Sequence, residues 1–573
     1  MAIETTLQNF LHAFDQGSAA AWVRRIIVAT IVALIAMMWF VFKFNGFSVP
    51  DAMDQAQIGR QVAGGQGYTT LYVRPLAMHL GLARRGSLDM PLRDANQAPL
   101  GPLLNAAVFR ISGMNFAFAP GEVVSSAERA ITIAAFLFFA GSLVLTYLLG
   151  RRLFDPTLAM LAVGLFMLTD LAWRYTFSGL PQMVMLFFFN GALLALLSAL
   201  EAGEASRRIK SVVFVLLASL LLSIVTLGHG VGLWIFAGFW LFAVAVIRPR
   251  WLVAIAAPIV YVAPLIPWAW HNWRTVRNPF GVPFYELFRE PGADPLGFIA
   301  DFEPILRFKI RDFLANTGAQ AVEQVSHLFS FFGGSFVAGA FFLAVFLHVF
   351  RRWQPALFRW AVLLMWFGAF VGMSVVGVEG AVSVNQLHII FLPVLICYGL
   401  AFLLVLWSRL GFEQPLLRAA FLAILYFTAA IPLIGTVFTT PPRVNWPPYV
   451  PPIIARFGEW VGPKEAMASD IPWATAWYGG RLSLLLPQNI GQFEIIHSEG
   501  LLRAPLVGIY LTPFSGNQPA YSRIINGRYR EWSRFVLREI KQEDLAGWML
   551  RSAVNLPIDG ETIFFADQPR WRR

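Results

Sequence analysis

Apolar residues run in long blocks along most of this chain, and polar residues gather in the gaps between them. Blocks of about 17–25 apolar residues match the hydrocarbon core of a bilayer. They fall at residues 24–44, 124–149, 156–173, 180–200, 210–227, 229–247, 251–270, 334–350, 357–377, 387–407 and 416–437. The pattern predicts a polytopic α-helical membrane protein with about eleven transmembrane helices. Two gaps, about residues 45–123 and 271–333, are far longer than an ordinary connection, and long loops usually carry function. Beyond Phe438 the pattern changes. A proline-rich collar, "TTPPRVNWPPYVPP", leads into short apolar stretches ("KEAMASD", "RLSLLLP", "APLVGIYLT", "ETIFFAD") that alternate with helical ones. This predicts a small soluble α/β domain over 439–573 behind a transmembrane domain over 1–438.

Of the 573 residues 57% are hydrophobic and 13% charged, with a net charge of +11. A basic surplus raises the question of nucleic acid, but its distribution answers otherwise. The clusters are Arg24-Arg25, Arg151-Arg152, Arg207-Arg208-Lys210, Arg248/Arg250, Arg351-Arg352 and Arg409/Arg418, each at the edge of an apolar block and in every second gap. That is the positive-inside pattern, which sets topology. It predicts a multi-pass protein of the inner (cytoplasmic) membrane, surrounded by membrane lipids, with no nucleic-acid partner. The N-terminus is then cytoplasmic, and both long loops and the C-terminal domain lie outside. Ile26 to Phe42 reads as a retained anchor, because no small-x-small cleavage site follows it. Cys397 is the only cysteine, which excludes intramolecular disulfides and multi-cysteine metal sites.

The chemistry concentrates where the first block ends, in "VPDAMDQAQIGRQVAGGQGYTT", Val49 to Thr70. Pro50 suits the first helical position, and Asp51 and Asp54 then sit in the first turn, where the helix dipole favours negative charge. Ala52, Ala56, Gly59 and Ala63 form a stripe of small residues that permits close packing against a neighbour, and "GGQG" ends the helix. Acids are common at helix starts and need no catalytic role. Their setting, beside a long basic and polar loop with Arg74, His79, Arg84, Arg85, Arg93 and Asp94, singles these two out.

The stretch resembles the first outer loop of GT-C glycosyltransferases of the protein O-mannosyltransferase and aminoarabinose-transferase type, a family 39-like pattern. Asp51 matches that family's aspartate, Arg60 its arginine and Gly65-Gln66-Gly67 its glycine turn. "NQAPLGPLLNAAVFRISG" from Asn96 is similar to its Pro-Pro-Leu segment, and "SGLPQMVMLFFFNGALLAL" from Ser178 and "HIIFLPVLICYGL" from His388 to the starts of later helices. One position departs: the family's Asp-Glu reads Asp51-Ala52 here, and Asp54, one turn on, is the substitute to examine.

The resemblance implies an inverting transferase that moves a sugar from a polyprenyl-phosphate-linked donor to an acceptor lipid, glycan or protein. Phosphate leaves readily, so one aspartate acting as base on the acceptor suffices, in contrast to the two carboxylates a glycosidase typically needs. Asp51 is the expected base and Asp54 its partner. Cations would hold the departing phosphate, arginine best of all. The candidates are Arg60, Arg74, Arg93, Arg274, Lys309, Arg311 and His388. A divalent cation, if the chemistry uses one, would draw on Asp51, Asp54 and His229, although His229 in "TLGHGVGL" also reads as a hydrogen-bonded turn residue. Glu128-Arg129 reads as a self-neutralising pair entering a span, and Trp173, Trp268, Trp270 and Trp273 as an interfacial belt. Two other readings stand beside the transferase: a transporter or flippase of lipid-linked sugars, and an inactive relative, motivated by Ala52.

Overall fold

A computed structural model describes residues 18–88, 90–113, 116, 124–411, 414–439, 450–516, 521–541, 549–556 and 562–572. Among them, eight helices are long and apolar enough to cross a membrane: Ile26–Lys43, Ser126–Leu153, Gln182–Glu204, Arg208–Gly228, Arg250–Val276, Trp353–Val376, His388–Arg409 and Pro415–Phe438. The expected span at 156–173 is instead two helices, Pro156–Met167 and Asp170–Thr176, meeting at 65°. The chain breaks at Thr169, which is extended, and Asp170 opens the second piece. Counted as one, the bent pair makes nine.

Two other expected spans form shorter helices, Gly232–Val246 and Phe336–Leu347. The first stops ahead of Pro249, which restricts Arg248. The second is preceded by Gly333 and Gly334, both at positive φ. His388–Arg409 and Gln182–Glu204 are the most enclosed helices and form the centre of the bundle, whereas Ile26–Lys43, Arg250–Val276 and Pro415–Phe438 lie at its margin.

The remaining architecture is a six-stranded sheet: β1 (Tyr72–Val73), β2 (Ala466–Ser469), β3 (Leu482–Leu485), β4 (Leu506–Leu511), β5 (Ser552–Leu556) and β6 (Thr562–Ala566), in the order β1-β3-β2-β4-β6-β5. The first four in that order run parallel, β6 runs antiparallel to β4, and β5 runs antiparallel to β6. β2 and β4 are buried throughout, as strands covered on both faces should be. Each of the four apolar stretches noted after Phe438 carries a strand. The sheet nevertheless crosses the expected boundary at 438/439, because its edge strand comes from the first long loop. Tyr72 pairs with Ser483 and Val73 with Leu484, and the Ser483 amide donates to the Leu71 carbonyl at 2.7 Å.

Candidate functional site

Pro50 does open a helix, Pro50–Ala63, after an extended Val49, and this places Asp51 and Asp54 in its first turn. The small-residue stripe packs as its composition predicts. Ala52 and Ala56 are fully buried, and a Cβ on Gly59 would stand 2.7 Å from the Asn105 Cβ, so helix Leu100–Ser112 comes close only because position 59 has no side chain. Gly65 and Gly67 take positive φ in the turn that ends the helix.

A connected polar network forms around the two acids. Gln97 Nε2 donates to Asp51 Oδ1 at 2.9 Å and to Asp54 Oδ2 at 2.8 Å. Asp54 accepts further bonds from Gln57 at 2.9 Å and from the Arg74 guanidinium. Arg74 also faces Asp94 at 3.6 Å and lies over the Tyr72 ring at 3.9 Å. The chain of contacts therefore runs Asp94–Arg74–Asp54–Gln97–Asp51. Asp54, Arg74, Asp94 and Gln97 are each 5% exposed or less. Asp51 is the half-buried member, with one side-chain donor among the described residues.

Local structure explains why these groups meet. Arg74 follows β1 directly and precedes Pro75, the start of the next helix, so the sheet edge aims it. The Asp94 carboxylate accepts from the Asn96 and Gln97 amides at 3.0 and 2.8 Å, which folds the loop carrying Gln97. His271 Nε2 donates to the Asp94 carbonyl at 2.7 Å, joining the second long loop's leading helix to the first.

Burial raises the proton affinity of Asp51, the Asp54 and Glu379 charges add to it, and the Gln97 bond and Arg74 oppose it. Burial likewise pushes Asp94 up to about 6 against the pull of Arg74. Burial works against the charge on Arg74, but Asp54 and Asp94 hold it firmly protonated. Glu286, on the second long loop, is pushed up to about 7 by burial, with Arg289 opposing and the charges of Asp51 and Glu379 reinforcing it. Glu286 and Glu379 thus belong to the electrostatic surroundings of Asp51, although neither stands out in the sequence.

The other expected site residues divide sharply. Arg60 spends its guanidinium on the Ala476 and Trp477 carbonyls at 2.8 and 3.0 Å and stacks on Trp477. It is a tie between the acid-bearing helix and helix Pro472–Tyr478, at the opposite end from Asp51. Burial, and then Arg481, lower its affinity for its proton to about 10. A cavity of about 590 Å³ opens there, lined by Arg60, Gln61, Gln66, Phe109, Arg110 and Gly480.

His388 is enclosed by the protein. It is fully buried, receives a bond from Trp366 and meets Gln324 at 3.3 Å. Arg74 is neutralised inside the network. Arg93, Arg274, Lys309 and Arg311 are exposed. Arg93 lines a small cavity of about 60 Å³ beside Tyr72, Arg74 and Asp94. Lys309 pairs with Glu290 at 2.9 Å and Asp312 at 3.5 Å, and Arg274 lies 4.9 Å from the Trp270 ring.

Among the described residues, Asp51, Asp54 and His229 do not come together as a cation site. Both His229 nitrogens are engaged: Nδ1 accepts from the Val231 amide at 3.2 Å, which leaves Nε2 to donate to Asn385 Oδ1 at 2.9 Å. Asp54 is saturated by donors, and no group of three or more His, Cys, Asp or Glu gathers among the described residues. Glu128 is not neutralised by Arg129. It lies fully buried and accepts from Trp477 at 2.9 Å and Tyr478 at 2.7 Å, while Arg129 is exposed. Trp173 is not interfacial either: it is buried and donates to the Met167 carbonyl.

No protein-family model matches this chain, and no curated protein matches its sequence. Solved structures do match its fold. ArnT from Cupriavidus metallidurans bound to undecaprenyl phosphate has a TM-score of 0.56 at 12% identity, covering 96% of this chain and 99% of that one. The Archaeoglobus fulgidus oligosaccharyltransferase AglB, in complex with an inhibitory peptide and a dolichol-phosphate, has a TM-score of 0.54 at 12% identity, covering 96% and 75%. A further structure of the A. fulgidus oligosaccharyltransferase, with Zn and sulfate, gives 0.53 at 13% identity, covering 95% and 73%. These structural neighbours are GT-C glycosyltransferases, and the chain shares their fold.

Proposed function

We propose that the chain is an inverting glycosyltransferase of the GT-C kind, moving a sugar from a polyprenyl-phosphate-linked donor to an acceptor at the outer face of the cytoplasmic membrane. Fold neighbours solved with undecaprenyl phosphate and with dolichol-phosphate support the lipid-linked donor. The observation that carries the mechanism is the inequality of the two acids. Asp54 is buried and saturated by Arg74, Gln57 and Gln97, so it holds the network; Asp51 is half-buried and keeps one oxygen without a donor among the described residues.

In this reading Asp51 takes the proton from the acceptor hydroxyl or amine as that atom attacks the anomeric carbon. The carbon–oxygen bond to phosphate breaks, and the bonding pair leaves on the phosphate. Its charge is met by exposed cations, for which Arg93, Arg274 and Arg311 are the candidates, Arg60, Arg74 and His388 being engaged with other groups of the chain. The division at 438/439 stands as a functional proposal, with the C-terminal segment outside the cell membrane and the N-terminus inside. Cysteine labelling after Gly67, Pro295 and Gly516 should then report the outer side at all three positions.

A second reading has its own support. Ala52 is fully buried where the family that the stretch resembles has glutamate, and Asp54 is turned to Arg74. An inactive relative that binds a lipid phosphate fits that substitution. Mass spectrometry of surface glycans and glycolipids, with and without the chain, decides between them: a lost or gained sugar supports transfer, and an unchanged profile supports the inactive reading.

A further inference from the structure

The two carboxylates stand one turn apart on the same helix face, where like charges repel. Arg74 reaches Asp54 and Asp94, and among the described residues it makes no bond to Asp51. The group that touches both acids is the Gln97 amide. A primary amide carries two N–H bonds, and Gln97 spends one on each carboxylate, at 2.9 and 2.8 Å. Gln97 is 4% exposed, so water is poorly placed to take over either bond.

The amide is itself held from three sides. Its oxygen accepts from Gln55 at 3.1 Å, its backbone N–H is capped by Asp94 at 2.8 Å, and its carbonyl accepts from the Tyr68 hydroxyl at 2.9 Å. Gly101 makes room for this arrangement, since a Cβ there would stand 2.0 Å from the Gln55 side-chain oxygen.

We propose that Gln97 is the positioning residue of the site: its amide clips Asp51 to Asp54 through one oxygen of each and leaves the second Asp51 oxygen pointing at the acceptor. The catalytic part of this proposal rests on the transferase reading above; the clip itself does not. Without the amide, two partly desolvated carboxylates face each other unbridged, and Asp51 turns on its own side-chain torsions. Glu286 and Glu379 on neighbouring elements add to the same negative field, and Arg74, the cation that opposes it, is already bonded to Asp54.

The test uses the full chain purified in four forms: native, Gln97→Met, Asp51→Asn and the double variant. Gln97→Met should lower the unfolding midpoint, and adding Asp51→Asn should restore part of that loss, because it removes one of the two repelling charges. A side chain that only fills space would give losses that add, and that result overturns the clip. If Gln97→Met does not fold, Gln97→Asn, one methylene too short to span both acids, is read the same way. With a synthetic polyprenyl-phosphate sugar as donor, Gln97→Met should cut turnover about tenfold while leaving the half-saturating donor concentration unchanged. A rise in that concentration at unchanged turnover overturns the positioning role. A native chain without transfer overturns the transferase reading alone, and the midpoint comparison still decides the clip.

Discussion

The two long loops of this molecule treat charge in opposite ways. In the first, Asp54, Arg74 and Asp94 are buried together and satisfy one another, and β1 fastens Arg74 to the sheet. In the second, the Lys309 and Glu290 side chains are 53% and 69% exposed as they pair, and Arg311 is open to its surroundings. A buried network is costly to disturb and so fixes geometry; exposed ion pairs contribute little to stability and rearrange easily. The first loop therefore holds its geometry, whereas the second keeps its charges open to rearrangement.

Breaking the buried side should have the largest effect. Arg74→Met leaves Asp54 and Asp94 enclosed without their cation and should cost about 3–5 kcal/mol, read from the unfolding midpoint. A stable Arg74→Met chain would mean that the network does not hold this loop. Ser483→Pro removes the amide that bonds the Leu71 carbonyl and should cost about 1–3 kcal/mol, with faster proteolysis between Gly67 and Arg74. Equal proteolysis in the two chains would free the site from the sheet.

Glu286 sharpens the comparison, being the second-loop group nearest to the first loop in character. Its affinity for a proton is raised from the ordinary 4.5 to about 7, so the folded state binds the proton more tightly than the unfolded one. The stability this gives is complete below 4.5 and is lost as pH rises through about 7. The native midpoint should therefore fall more steeply between those values than that of Glu286→Gln; parallel curves would contradict the burial assigned to this group.

The smallest structural effects belong to the exposed cations. Arg93→Ala, Arg311→Ala and Lys309→Ala should leave the midpoint where it is. If Arg93 or Arg311 holds the donor phosphate, its loss should raise the half-saturating donor concentration about tenfold.

Much of the frame could be read from the chain itself. The apolar blocks located the long helices, Pro50 located the helix start with its two acids, and the small residues Ala52, Ala56 and Gly59 announced a close-packed neighbour, which at Gly59 is Leu100–Ser112. What stayed hidden depends on contacts between distant residues. Gln97 lies 46 residues from Asp51 in sequence, and nothing in a neutral amide within a loop marks it as a bridge. Trp477 and Tyr478 lie 349 and 350 residues from Glu128, so local pattern could only pair that acid with the neighbouring Arg129. The cations misled for the same reason. A basic residue near a span end looks alike in sequence whether it is exposed, like Arg93, or closed on carbonyls, like Arg60. The helices at 229–247 and 334–350 are shorter than the apolar runs that mark them, because apolar composition continues past the residues where the helices stop.

The proposed role of Asp51 is that of the base in a transfer from a lipid-linked phosphate donor. It is tested most directly by measuring sugar transfer by native and Asp51→Asn chains in the same vesicles with a polyprenyl-phosphate-linked donor. The substitution keeps the shape of the side chain and its place in the first turn while removing the proton acceptor. Turnover of a folded Asp51→Asn chain should fall by about 10²-fold or more if Asp51 has that role. Undiminished transfer by that chain would contradict it.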